Sequence, residues 1–130
     1  MVVRAQPQSD PIPSFGGPAL RAFFQLAERW DLRVAEQRRL LGEPPESTFY
    51  KWKRERDGLL ARDTLERISY LLGIWKALQI LFPDPQQADA WVRKPNQAPM
   101  FAGQSALQRM LAGNVSDLFA VRQYLDAQRG

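Results

Sequence analysis

The densest chemistry in the chain lies in one short run, Ser47-Thr48-Phe49-Tyr50-Lys51-Trp52-Lys53-Arg54-Glu55-Arg56. Wound as a helix, it turns Phe49 and Trp52 inward, three residues apart. Thr48, Lys51 and Glu55 then share one outer face, and Ser47, Tyr50 and Arg54 a neighbouring one. Hydroxyls, a phenol and long cations suit phosphate oxygens and base edges, and a helix N-terminus adds backbone donors for a phosphate. Ser47, Thr48, Tyr50, Lys51, Lys53, Arg54 and Arg56 are therefore the candidate DNA contacts. The plainer alternative is a solvated basic helix in an ordinary bundle. Catalysis finds less support. The chain has no His and no Cys, which removes imidazole acid–base work, Ser-His and Cys-His nucleophiles, disulfides, and zinc held by thiolate or imidazole. Glu66, Asp84, Asp89, Asp117 and Asp126 are scattered, with no close pair suggested by their spacing, and no phosphate-cradling or dinucleotide loop is present. No catalytic residue, metal or cofactor is expected.

These residues need a scaffold, and 130 residues can bury a core. A chain of this size removes roughly two-thirds of its unfolded surface from water, as one domain or two small ones sharing a core. The net charge of +4 permits an anionic partner without demanding one. No run of about 18 apolar residues is present, so no membrane span is expected. The opening MVVRAQPQSD carries one Arg and no apolar run, so no secretory signal is expected and the cytoplasm is favoured.

No segment alternates with a period of two, and the pattern reads all-α. Pro7, Pro11, Pro13, Gly16, Gly17 and Pro18 mark residues 1–18 as an extended arm outside the core. Leu20, Phe23, Phe24, Ala27 and Trp30 form a helical stripe that ends near Asp31. A second helix runs from about Val34 to Leu41, closed by Gly42. Glu43-Pro44-Pro45 turns the chain into a third helix, about Ser47 to Arg56, with Glu46 or Ser47 as its cap. The longest helix spans about Asp63 to Phe82. Its apolar residues Leu65, Ile68, Tyr70, Leu71, Leu72, Ile74, Trp75, Leu78 and Leu81 exceed one stripe, so it is either the central helix of a bundle or a dimer or partner interface. Gly73 costs it about 1 kcal/mol against Ala, which implies close approach of another helix. Asp84-Pro85 opens a helix to Arg93, Ser105 one over Ala106 to Leu111, and the last spans about Ser116 to Gln128.

Much of the chain, about residues 20–130, resembles the Xre/MbcA/ParS antitoxin family. The resemblance rests on Leu65-Glu66-Arg67-Ile68-Ser69-Tyr70-Leu71-Leu72-Gly73-Ile74, on Leu81-Phe82-Pro83-Asp84, and on Ala88-Asp89-Ala90-Trp91-Val92 with Lys94-Pro95-Asn96. It continues through Gly103-Gln104-Ser105-Ala106-Leu107 to the ending Arg129-Gly130. Ser47-Thr48-Phe49-Tyr50-Lys51-Trp52-Lys53 is similar to the family's helix-turn-helix segment, although the turn before it is longer here. The resemblance implies an antitoxin of a type II toxin–antitoxin system, with an N-terminal helix-turn-helix bundle and a C-terminal helical toxin-binding domain. Its partners would be a RES-domain toxin, which consumes NAD, and operator DNA, through which the chain represses its own operon; the over-wide apolar face of the longest helix is what points to a homodimer.

On this reading residues 1–18 are the arm, 19–62 the DNA-binding domain and 63–130 the dimerisation and toxin-binding domain. The implied toxin contacts are Trp91, Pro95, Asn96, Arg122, Tyr124, Arg129 and Gly130. Arg129 carries the charge to fill a pyrophosphate subsite, with the terminal carboxylate beside it; alternatively it only complements the helix dipole, worth about 0.3–1 kcal/mol. Two other readings stay open: a stand-alone helix-turn-helix regulator whose C-terminal domain only dimerises, and a small enzyme.

Overall fold

A computed structural model describes residues 14–130. The elements run β1 (Ser14–Phe15), α1 (Gly17–Arg29), α2 (Val34–Leu40), α3 (Glu46–Glu55), β2 (Leu59–Leu60), α4 (Arg62–Leu81), α5 (Pro85–Ala90), a 3₁₀ turn (Trp91–Arg93), α6 (Ala106–Met110) and α7 (Val115–Arg129). The all-α expectation holds. The strands are two residues each and pair antiparallel, Ser14 with Leu60 and Phe15 with Leu59. The arm expected over residues 1–18 therefore ends differently. Residues 14–16 are pinned to the chain after α3, and Gly17 and Pro18 already form the first turn of α1. Residues 1–13, with Pro7, Pro11 and Pro13, lie outside the described residues.

Helix α4 is the axis of the molecule. Ile68, Leu71, Ile74, Ala77 and Leu78 are buried along it, and α1, α5 and α7 pack against it. Helix α4 is thus the central helix of the bundle, while Leu65, Tyr70, Leu72, Trp75 and Leu81 of its wide apolar surface stay half-buried. Gly73 meets a neighbour as expected, but the neighbour is a side chain. A Cβ there would lie 2.7 Å from the Arg122 guanidinium of α7.

The helix ends follow local rules. Asp84 caps α5 by accepting from the Gln86 backbone N–H at 3.0 Å, and Ser105 and Gln108 form a reciprocal capping box on α6. At the end of α2, Gly42 is left-handed (φ 93°) and its N–H donates to the Arg39 carbonyl, while Glu43 N–H donates to the Arg38 carbonyl. Helix α1 stops in the same way through Asp31 (φ 53°) and the buried Leu32.

Three arginines tie the N-terminal helices to the C-terminal ones. Arg93 donates to the Trp30 carbonyl at 3.1 Å, the Asp31 carbonyl at 2.6 Å and the buried Glu36 carboxylate at 3.2 Å. Arg39 donates to the carbonyls of Leu111 and Ala112, both at 2.9 Å, and Arg67 to that of Gly113 at 3.1 Å. The open carbonyls at the ends of α1 and α6 thus receive cations, which also complement the helix dipoles.

Candidate functional site

The α2–α3 pair is assembled from the turn outward. Arg38 donates to the Pro44 carbonyl through Nε at 3.3 Å and Nη2 at 2.9 Å, which fixes the five residues between the helices. The N-cap of α3 is Pro45, without a side-chain cap bond. This differs from the expected Glu46 or Ser47 cap, because Pro45 already holds the extended backbone that a cap needs. Ser47 consequently sits inside the first turn with its side chain exposed. Phe49 is fully buried and packs edge-on to Phe24 at 5.8 Å; Trp52 is also buried. With those two anchored, Ser47, Tyr50, Lys51, Lys53 and Arg54 stand in solvent and Thr48 is half-buried.

Arg56 is set apart from the other candidates. It is the left-handed C-cap of α3 (φ 53°), its Nε donates to the Lys53 carbonyl at 2.9 Å, and its guanidinium lies 4.8 Å from the Phe24 ring centroid. It closes the helix rather than extending from it. Arg56 also lines a cleft of about 310 Å³ with Lys53 and Gln37, between α1, α2 and α3.

At the opposite end of the chain, Trp91 and Tyr124 stack, ring centroids 6.4 Å apart and planes within 19°. Phe101, nearly fully buried, meets both edge-on at 6.0 and 5.3 Å. Beside them Leu81, Phe82, Leu125 and Gln128 complete a groove of about 270 Å³. Its lining mixes the half-buried Leu81 and aromatic side chains with polar surface, the Gln128 amide among it, so it can take a side chain with both an apolar body and a polar group.

The remaining C-terminal candidates are distributed differently. Pro95 bridges to Ser105, Asn96 N–H donates to the Gln104 carbonyl at 3.0 Å, and Asn96 Oδ1 accepts from Ala98 N–H at 2.9 Å. The Pro-Asn element builds the 94–105 loop that carries Phe101, and the Asn96 amide oxygen is engaged within it. Arg122 lies over Gly73, away from the stacked rings, and reaches Asp126 at 3.6 Å. Arg129 reaches Asp126 at the same distance from the other side. Gly130 is exposed at the very end. The structure therefore brings Trp91 and Tyr124 together and places Arg122 and Arg129 on a different face of α7.

Two carboxylates behind these surfaces are perturbed. Burial alone would raise Asp117, but bonds from Arg109 Nε (2.9 Å) and Asn114 Nδ2 (3.1 Å) outweigh it and hold the carboxyl below its ordinary value. Glu36 is likewise penalised by burial and held low by Arg33 and Arg93. Both ion pairs support structure: Arg109 also donates to the Met100 carbonyl of the 94–105 loop. Among the described residues no group of acidic, His or Cys side chains could hold a metal ion, and no helix is long and apolar enough to cross a membrane.

Comparison with known proteins places names on both ends. Residues 16–73 match the antitoxin Xre-like helix-turn-helix domain. Residues 77–130 match the antitoxin Xre/MbcA/ParS C-terminal toxin-binding domain. The two matches meet inside α4, which both halves share. A relative from Sinorhizobium fredii (strain NBRC 101917 / NGR234), named "Uncharacterized protein y4oB", is 55% identical over 111 residues, covering 85% of this chain and 84% of its own. A helix-turn-helix module with solvated cations on α3, joined through a common helix to a toxin-binding module with an aromatic groove, is the architecture of an antitoxin, and this chain belongs to the Xre/MbcA/ParS antitoxin family.

Proposed function

We propose that this antitoxin neutralises a RES-domain, NAD-consuming toxin by direct contact, and that as a homodimer it represses its own operon through α3. The observation that carries the toxin half is the Trp91–Tyr124 groove, which lies wholly within the toxin-binding match. Stacked aromatics at the mouth of a groove supply the large, pre-ordered contact area typical of interface hot spots. Pro95 and Asn96 serve it by shaping the loop under Phe101. Arg129 closes the last turn of α7 and the Gly130 carboxylate follows it; released from Asp126, the guanidinium can enter a site built for an anionic pyrophosphate and its counter-charges.

For the operator half, Lys51, Lys53 and Arg54 supply phosphate contacts, and Ser47, Thr48 and Tyr50 the uncharged contacts to phosphates or base edges. The turn before α3, although long, is fixed by Arg38, so the helix is presented in one orientation. Co-expression with a RES-family toxin encoded beside this chain is the test of the reading. The expected outcome is a co-purifying complex that does not consume NAD. Failure of the two chains to associate, with a toxin that stays active, would contradict it. A stand-alone regulator would bind its promoter and leave the toxin untouched.

A further inference from the structure

We infer that two copies of this chain meet through the face formed by α4 and the first turns of α7, around Tyr70 and Phe119. The inference rests on the homodimer part of the proposed function and names the surface that part requires. Ile68, Leu71, Ile74 and Leu78, the centre of the wide apolar surface of α4, are buried inside the chain, while Tyr70 at its edge stays half-buried. Arg62, Glu66, Lys76 and Ile80 recur along α4 at helical spacing and are exposed, and Gly73 between them is half-buried under Arg122 of α7. Ile80 is 53% exposed, and Phe119 of α7 is 43% exposed. Phe119 packs on Tyr70 at 5.5 Å between ring centroids, and the Tyr70 hydroxyl donates to Glu66 at 3.0 Å.

Helix α7 runs beside α4 in the same direction, Phe119 at Tyr70 and Arg122 over Gly73. From the start of α4 the face therefore carries a cation (Arg62), a carboxylate (Glu66), the aromatic pair, a cation (Arg122, with Lys76 nearby) and a carboxylate (Asp126). At about 1.5 Å per residue, Glu66 lies about 6 Å before Tyr70 and Gly73 about 4.5 Å after it. Reversing this order inverts every charge and leaves the apolar centre in place. A second copy turned by a two-fold axis through the aromatic pair sets Glu66 against the partner's Arg122 and Lys76. It also sets Arg62 against the partner's Asp126, and ring against ring. A two-fold contact needs this self-complementarity, whereas an unrelated partner has no reason to match it. The surface lies on the opposite side of α7 from Tyr124, so the aromatic groove stays open in the dimer.

The charge order gives a test that separates contact from folding. The wild-type chain should be a dimer by light scattering at tens of micromolar. Glu66→Arg alone and Arg122→Glu alone set like charges against each other and should each shift the dissociation constant at least tenfold toward monomer. The double variant should restore the dimer, which damage to the fold would not do. The chain has no cysteine, so Phe119→Cys places a single thiol at the proposed axis, where oxidation should link two copies. A wild-type monomer would overturn both the dimer and this surface, leaving toxin binding untouched. A dimer indifferent to the charge changes, with no link through position 119, would overturn this surface alone. A position-119 thiol protected only when the toxin co-purifies would assign the face to the toxin and overturn the proposal as well.

Discussion

At one end of the molecule α3 holds Lys51 and Lys53 out in solvent, with Arg54 beside its neighbour Glu55; at the other, α7 and the 91–101 segment press their rings together. Lys51, Lys53 and Arg54 stand on a helix anchored by two side chains, Phe49 and Trp52. Trp91, Phe101 and Tyr124 contact one another, and Arg109, Asp117 and Asn96 lock the chain around them. The first arrangement suits a polyanion, whose charge repeats and whose hydration must be exchanged contact by contact. The second suits a single shaped protein surface. Each end fails differently when altered, and that difference can be measured.

The largest effect is expected at the groove. Trp91→Ala should weaken capture of the toxin by about 3 kcal/mol, on the order of a hundredfold, as truncation of a central aromatic anchor does. Promoter affinity should stay within twofold, since α3 lies at the other end. Isothermal titration against the toxin and a promoter-binding assay check the two halves of this statement. Arg93→Ala comes next, because it removes a cation that serves two carbonyls and the buried Glu36. It should cost about 2 kcal/mol of stability, seen as a lower urea midpoint, and it should loosen the joint between the two ends.

Acid should act through Glu36 and Asp117. Both carboxyls are held below their ordinary values in the folded chain. Their contribution is complete above the unfolded carboxylate range, about pH 4–4.5, and is lost as pH falls through the lower folded values. Stability should therefore fall progressively below about pH 4.5, and Asp117→Asn should make that fall shallower. Chemical denaturation at a series of pH values measures it. The smallest effect separates cations within α3. Arg54→Ala should reduce the salt slope of promoter binding by about one ion. Arg56→Ala should leave the slope unchanged, because that guanidinium caps its own helix over Phe24.

What could be read from the residues, and what could not, follows the range of the interactions. The helices were legible because apolar spacing and the stops at Asp31, Gly42 and Asp84-Pro85 are local. The inward turn of Phe49 and Trp52 was legible for the same reason. Gly73 announced a close neighbour, but only the packed structure names Arg122. The width of apolar α4 announced burial without saying that α1, α5 and α7 supply it. Arg39, Arg67 and Arg93 gave no signal at all, since an arginine that serves a carbonyl far along the chain looks like any surface arginine. Asn96 was noticed as part of a motif and belongs to the architecture of its loop, because a motif marks a constraint without saying which kind. Arg56 looked like its neighbours until the backbone turned left-handed there.

The central claim is that the C-terminal end silences an enzyme. Its most direct test is NAD turnover by the co-purified RES toxin when the chain lacks Arg129 and Gly130, which leaves Gln128 in the wall of the groove. The account predicts that the complex still assembles through the Trp91–Tyr124 groove and regains NAD consumption. A truncated complex that stays assembled and fully inactive would contradict it.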